Sequence, residues 1–180
     1  RNNTTHCQDH CSNIVTISGR ELEWVQEIRY LGVFFASSSK VKCVYANAKK
    51  SFYRSFNAVF GRIGRAASEE VILSLVKSKC LPILLYGVDA CPVSTSDSRS
   101  LDFTLTRILF KIFCTYSKDI IADCQVAFDF PPAHMLVQSR KRTFLRKFIA
   151  SENVICMLCS DSAETELNII NCKPLTLLNS

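Results

Sequence analysis

The chain has 180 residues, with 22 Lys and Arg against 16 Asp and Glu, a formal net charge of +6, and 48% apolar residues. That is enough for one or two small globular domains and excludes a disordered, charge-dominated polymer. The positive balance favours an anionic partner but falls far short of a ribosomal or chromatin protein, so the distribution of charge says more than its sum.

No run of about eighteen uncharged apolar residues occurs; the longest candidate, Cys80 to Val88, is short and holds Pro82. A membrane partner is therefore not expected. The opening Arg1-Asn2-Asn3-Thr4-Thr5-His6 lacks the apolar run of a secretory leader, and an intracellular location is expected. A start without methionine, in the middle of what reads as a structural unit, gives the expectation of a fragment. Ten cysteines, scattered singly along apolar faces as at Cys43, Cys80, Cys91, Cys114 and Cys124, read as reduced thiols rather than a disulfide framework.

In chain order, Ile14-Val15-Thr16-Ile17 is β-branched, Ser18-Gly19-Arg20 signals a turn, and Leu22 to Val25 is a possible return strand. Ile28 to Phe35 has strand composition with an interior Gly32, expected to mark a bulge or the close approach of another backbone. From about residue 40 the period becomes helical: Val41, Tyr45, Ala48, Phe52, Phe56, Val59 and Ile63 form one apolar stripe. Gly61 and Gly64 punctuate it. Ser68, with Glu69 and Glu70 behind it, predicts a helix to about Leu81, ended or kinked by Pro82. Ser96-Asp97 predicts another start, with Leu101, Leu105, Ile108 and Ile112 in register. A short helix is expected over Lys118 to Phe128, and a last one from Pro131-Pro132 through Phe148. The fold class is α+β, mostly α: a short antiparallel β segment over 1–38, a bundle of four to five helices over 39–150, and a tail over 151–180.

The segment Lys40 to Ser68 contains Lys40, Lys42, Lys49, Lys50, Arg54, Arg62 and Arg65 and no Asp or Glu. Lys50 and Arg54 lie opposite the apolar stripe, where like charges at i, i+4 repel unless something negative lies alongside. A nucleic-acid backbone supplies that charge and releases counterions, and Tyr53 beside this face can stack on a base or sugar. A solvated face with salt bridges to Glu69, Glu70 or Asp89 accounts for the same charges equally well. The cluster Arg140-Lys141-Arg142 with Arg146-Lys147 reads slightly better as a solubilising face than as a phosphate track.

Metal and catalytic patterns are weak. His6-Cys7-Gln8-Asp9-His10-Cys11 and Cys156-Met157-Leu158-Cys159 with Cys172 hold metal-capable side chains, but neither has the spaced ligand pairs of a structural zinc site. Asp119 and Asp123 form an i, i+4 pair without a third ligand, His134 has no triad spacing, and Gly61-Arg62-Ile63-Gly64 is too short for a phosphate loop.

The succession Ile28-Arg29-Tyr30-Leu31-Gly32-Val33, Ala48-Lys49-Lys50-Ser51-Phe52-Tyr53-Arg54, Asn57-Ala58-Val59-Phe60-Gly61-Arg62, Ser68-Glu69-Glu70-Val71, Leu75 to Gly87 and Ser100-Leu101-Asp102-Phe103 resembles the reverse transcriptases of LINE mobile elements of the jockey and chicken-repeat kind, over about residues 14–150. The resemblance implies that Tyr30, Leu31, Gly32 and Val33 correspond to the primer grip at the end of the palm. It implies that the helices after them correspond to the thumb, which tracks primer–template duplex. It makes Lys49, Lys50 and Arg54, with Lys42, Tyr53, Arg62 and Arg65, the expected nucleic-acid contacts. The partners it implies are an RNA–DNA or DNA primer–template duplex and the rest of the polymerase polypeptide. The Tyr-x-Asp-Asp motif and the upstream palm aspartate are absent, so the chain holds no expected catalytic residue and no cofactor; magnesium belongs to the palm of the parent enzyme. The alternatives are a non-catalytic helical interaction module and a non-functional relic.

Overall fold

The computed structural model describes residues 14–64 and 66–172, a mostly helical α+β chain with one small antiparallel sheet. It divides into two units, Arg1–Tyr45 and Ala46–Ser180. The His6 to Cys11 stretch lies outside the described residues.

In the first unit, strands β1 (Glu27–Tyr30), β2 (Val33–Ala36) and β3 (Lys42–Cys43) pair in that order, all antiparallel. The register sets Glu27 opposite Ala36, Tyr30 opposite Val33 and Phe35 opposite Cys43. The segment expected as one strand is thus a hairpin. Leu31 and Gly32 form its two-residue turn with φ of 46° and 83°, the left-handed pair that matches the twist of adjoining strands. Gly32 answers a local need of the turn, not the approach of another backbone. The predicted strands before it shrink to one bridge, Val15 to Glu21, closed around Gly19 at φ 79°. Ile14, Val15, Ile17, Leu22, Trp24 and Val25 are all about half exposed or more, and alternation without a layer to bury against does not sustain a strand.

The division falls after Tyr45 rather than near residue 38, because β3 pairs with β2 and keeps the chain beyond Ser39 with the sheet. Helix α1 accordingly starts at Ala46 and runs to Ile63, and Val41, expected on its stripe, is exposed.

The second unit continues with α2 (Glu69–Leu75), a π-helical turn (Val76–Cys80), α3 (Leu81–Leu84), α4 (Thr95–Ile112), α5 (Lys118–Ala127), α6 (Ala133–Ile149), α7 (Val154–Leu158) and α8 (Ser160–Cys172). The expected helices all form, and α7 and α8 occupy what reads in sequence as a tail. Gly64 closes α1: its N–H donates to the Phe60 carbonyl at 2.8 Å, and a Cβ there would lie 2.5 Å from the same oxygen. Pro82 neither ends nor breaks the following helix. The turn before it widens so that the Leu81 N–H donates to the Val76 carbonyl, a five-residue step, and the chain absorbs the missing proline donor.

Helix α4 begins at Ser94, two residues before the expected Ser96. The Ser94 hydroxyl accepts from the Asp97 N–H at 3.1 Å and the Asp97 carboxylate accepts from the Ser94 N–H at 3.3 Å, a reciprocal capping box. Helix α6 has Pro132 at its N-cap, which offers no side-chain acceptor. Asp102 of α4 fills the gap, taking the His134 N–H on Oδ1 at 3.0 Å with His134 Nδ1 2.9 Å from Oδ2.

The core is apolar. Phe52 and Phe56 of α1 and Leu101, Leu105, Ile108 and Leu109 of α4 are buried where α1 packs on the α2–α3 run and α4, α4 on α6, and α6 on α8. Phe52 is fully buried, so Phe52→Ala is expected to cost ~3–5 kcal/mol, read from urea unfolding. Val126→Ala, at a position 84% exposed, is expected to change stability by less than ~0.5 kcal/mol.

Candidate nucleic-acid interface

The rotation of α1 is set by its two buried phenylalanines. Consecutive helical residues are ~100° apart, so Lys50 and Arg54, each two positions before a buried ring, point outward. Both are exposed, as is Arg62 in the last turn. Among the described residues no carboxylate pairs with Lys49, Lys50, Arg54 or Arg62: the ion pairs are His134 with Asp102 and Lys141 with Glu166. The alternative of salt bridges to Glu69, Glu70 or Asp89 is therefore not realised there.

Lys49 behaves differently from its neighbours. Its Nζ donates to the Ser100 hydroxyl at 2.7 Å in a part-buried contact between α1 and α4, across 51 residues of chain. Further along, Lys111 Nζ donates to Asn57 Oδ1 at 3.3 Å. The order of these two contacts along both helices means that α1 and α4 lie side by side in the same sense.

Between them opens a groove of about 690 Å³ lined by Tyr53, Phe56, Asn57, Phe103, Arg107, Ile108, Phe110, Lys111 and Tyr116. No carboxylate lines it. The Lys111 ammonium sits 4.9 Å from the Phe60 ring centroid and 5.6 Å from that of Phe56, held over two aromatic faces. The two flattest targets point to solvent: Phe103 is 61% exposed and Tyr116 92%.

Tyr116 arrives by a specific turn. Helix α4 ends with Cys114 in the left-handed region at φ 50°, and the Thr115 N–H returns to the Phe110 carbonyl at 3.3 Å. This folds the chain back and sets the Tyr116 ring 6.1 Å from that of Phe110. A non-glycine residue in that conformation costs about 1 kcal/mol.

The remaining expected site residues are placed as follows. Tyr53 is half-buried, edge-on to Phe52 at 5.8 Å, and lines the groove. Arg65 lies outside the described residues. In the first unit Lys42 is exposed in β3, Tyr30 and Leu31 are exposed at the hairpin tip, and Val33 is half-buried in β2. Arg107, Lys111, Phe103 and Tyr116 were not among the expected contacts. Their signal is present in the sequence: residues 103–118 contain no Asp or Glu, and Phe103, Arg107 and Phe110 recur at helical spacing opposite the buried face of α4.

The second basic cluster is largely structural. Arg140 Nη1 donates to the Leu85 carbonyl at 3.2 Å, Arg142 Nη2 to the Ile170 carbonyl at 3.3 Å, and Lys141 pairs with Glu166 at 2.6 Å, tying α6 to α8 and to the end of α3. Arg146 and Lys147 alone stay exposed. No group of three His, Cys, Asp or Glu able to hold a metal occurs among the described residues, where Cys156, Cys159 and Cys172 are free thiols. Asp119 and Asp123 are exposed on α5, and His134 is bonded to Asp102 alone. No described helix is long and apolar enough to cross a membrane.

Cys114→Gly is expected to raise stability by about 0.5–1 kcal/mol in chemical denaturation, by removing the left-handed strain and leaving the turn in place.

Comparison with family models, with curated proteins and with solved structures finds no match to this chain.

Proposed function

We propose that this chain is the palm-end and thumb portion of an RNA-directed DNA polymerase of a LINE-type mobile element, and that it grips primer–template nucleic acid without performing the chemistry. The observation that carries the reading is the outer face of α1: exposed Lys50, Arg54 and Arg62, with no carboxylate partner among the described residues. Exposed cations held on a rigid helix with no internal counter-charge are suited to a phosphate backbone, whose condensed counterions are released on contact. The hairpin bearing Tyr30, Leu31, Gly32 and Val33 is the primer-grip candidate, on the resemblance of its sequence.

The catalytic metals have no place in this reading of the described residues. A two-metal centre needs converging carboxylates a few ångströms apart. Asp119 and Asp123 are exposed with no third ligand, and it is the resemblance that assigns the metal-bound steps to the palm of a parent enzyme.

The test is anisotropy binding to a labelled RNA–DNA hybrid over a salt series. Affinity is expected to fall steeply with salt, by roughly 0.9 units of log–log slope per phosphate contact. Lys50→Glu with Arg54→Glu is expected to lower that slope by roughly two units and to weaken binding about tenfold or more. A salt-independent response, or unchanged binding by the double variant, overturns the reading.

One observation favours a second reading, a helical interaction module. Val154, Ile155, Met157 and Leu158 of α7 are 62–80% exposed, an apolar surface of the kind that marks contact sites. Under that reading the chain self-associates through α7. Leu158→Glu is then expected to return it to a monomer in light scattering, with hybrid binding absent in both forms.

A further inference from the structure

We infer that the groove between α1 and α4 is a seat for unpaired nucleotides, so that the second unit holds a single-stranded segment in addition to any duplex along α1. The inference rests on the nucleic-acid reading above and extends it to a different ligand class, at a groove that adjoins the outer face of α1 through Tyr53.

Three observations converge. The groove, at about 690 Å³, lies within the ~300–1,000 Å³ range of sites that take small ligands. Its lining is aromatic and cationic with no carboxylate, so the occupant it complements carries both flat π-faces and negative charge. The two most exposed rings, Tyr116 and Phe103, offer faces that a base can stack on only when that face is free, which the interior of a duplex does not provide.

The parts divide the work. Tyr116 and Phe103 supply stacking surfaces, and Arg107, exposed on α4, reaches phosphate or stacks on a base by its planar guanidinium. Lys111 is pinned over Phe56 and Phe60 and bonded to Asn57, so its charge is in place before the ligand arrives. A charge already held in place loses little freedom on binding. The single acceptor–donor amide of the lining, Asn57, is exposed and already accepts from Lys111, which leaves the site with little means to read base identity, so the predicted preference is for unpaired structure and not for sequence.

The experiment compares the full chain binding to a blunt RNA–DNA hybrid, the same hybrid with a short single-stranded overhang, and a single strand of about twelve nucleotides, within the ~4–16 that such sites span. The overhang is expected to tighten binding about fivefold or more per stacked base. Tyr116→Ala and Phe103→Ala are expected to abolish that gain and leave blunt-hybrid affinity unchanged, while Tyr116→Trp retains it. Both side chains are well exposed, so the alanine variants are expected to melt with the parent chain, which thermal unfolding checks. Equal affinity for blunt and overhanging hybrids, or a gain that survives both alanine variants, overturns the inference and leaves the duplex reading standing. Failure to bind any of the three nucleic acids overturns both. An acidic peptide that binds with dependence on Tyr116, with single strands excluded, assigns the groove to a protein partner and overturns the inference alone.

Discussion

Burial of Phe52 and Phe56 is the constraint on which the arrangement of the helical unit depends. Two rings four positions apart fix both where α1 lies and how it is turned about its axis. Once they are buried, the side chains two positions earlier have no choice but to face outward. The helix is short of acids, so what emerges there is a row of cations, Lys50 and Arg54, with Arg62 beyond them. An apolar anchor thus determines the electrostatic character of the opposite face.

Helix α4 works by the same rule with a different result. Its buried side carries Leu101, Leu105, Ile108 and Leu109, so its outer side carries Phe103, Arg107 and Lys111. Large rings on an outer face are ordinarily a solubility liability. Here Lys111 lies over the aromatic surface from α1, and its link to Asn57 keeps the two helices in register. Lys49 to Ser100 does the same at the other end. The polar contacts between α1 and α4 are few and lie beyond the apolar contact, and they line up the two sides of the groove.

Much of this was legible in the sequence, for reasons particular residues make plain. Helical period located α1, α2, α4 and α6 because each has an apolar face to bury, and Ser68 occupies the N-cap of α2 where its chemistry predicts, whereas α5 buries Ile121 alone and carries no such stripe. The hairpin was less legible: Leu31 occupies a left-handed position that sequence rules reserve for Gly, Asn or Asp, so the turn hid inside an apparent strand. The first strands were overestimated because β-branched composition does not reveal whether a second layer exists to cover it. Among the candidate contacts, Lys50 and Arg54 followed from the wheel of α1 alone. The groove did not, since it requires knowing that α1 and α4 are neighbours. Arg140 and Arg142 were ambiguous for the same reason, as their acceptors are carbonyls far along the chain.

The cap that Asp102 supplies to α6 ties the integrity of one helix to the presence of another. A helix that carries its own Ser or Asp at the start can begin to coil while still separate from the rest of the chain. Helix α6 begins at a proline and borrows its acceptor from a residue 32 positions away. Its first turn is therefore conditional on α4 having arrived, and a peptide cut to the length of α6 would fray where the whole unit holds it closed. The closed start of α6 is in this way a property of the α4–α6 pair and not of α6 alone, so that whatever separates the two helices also opens that helix end.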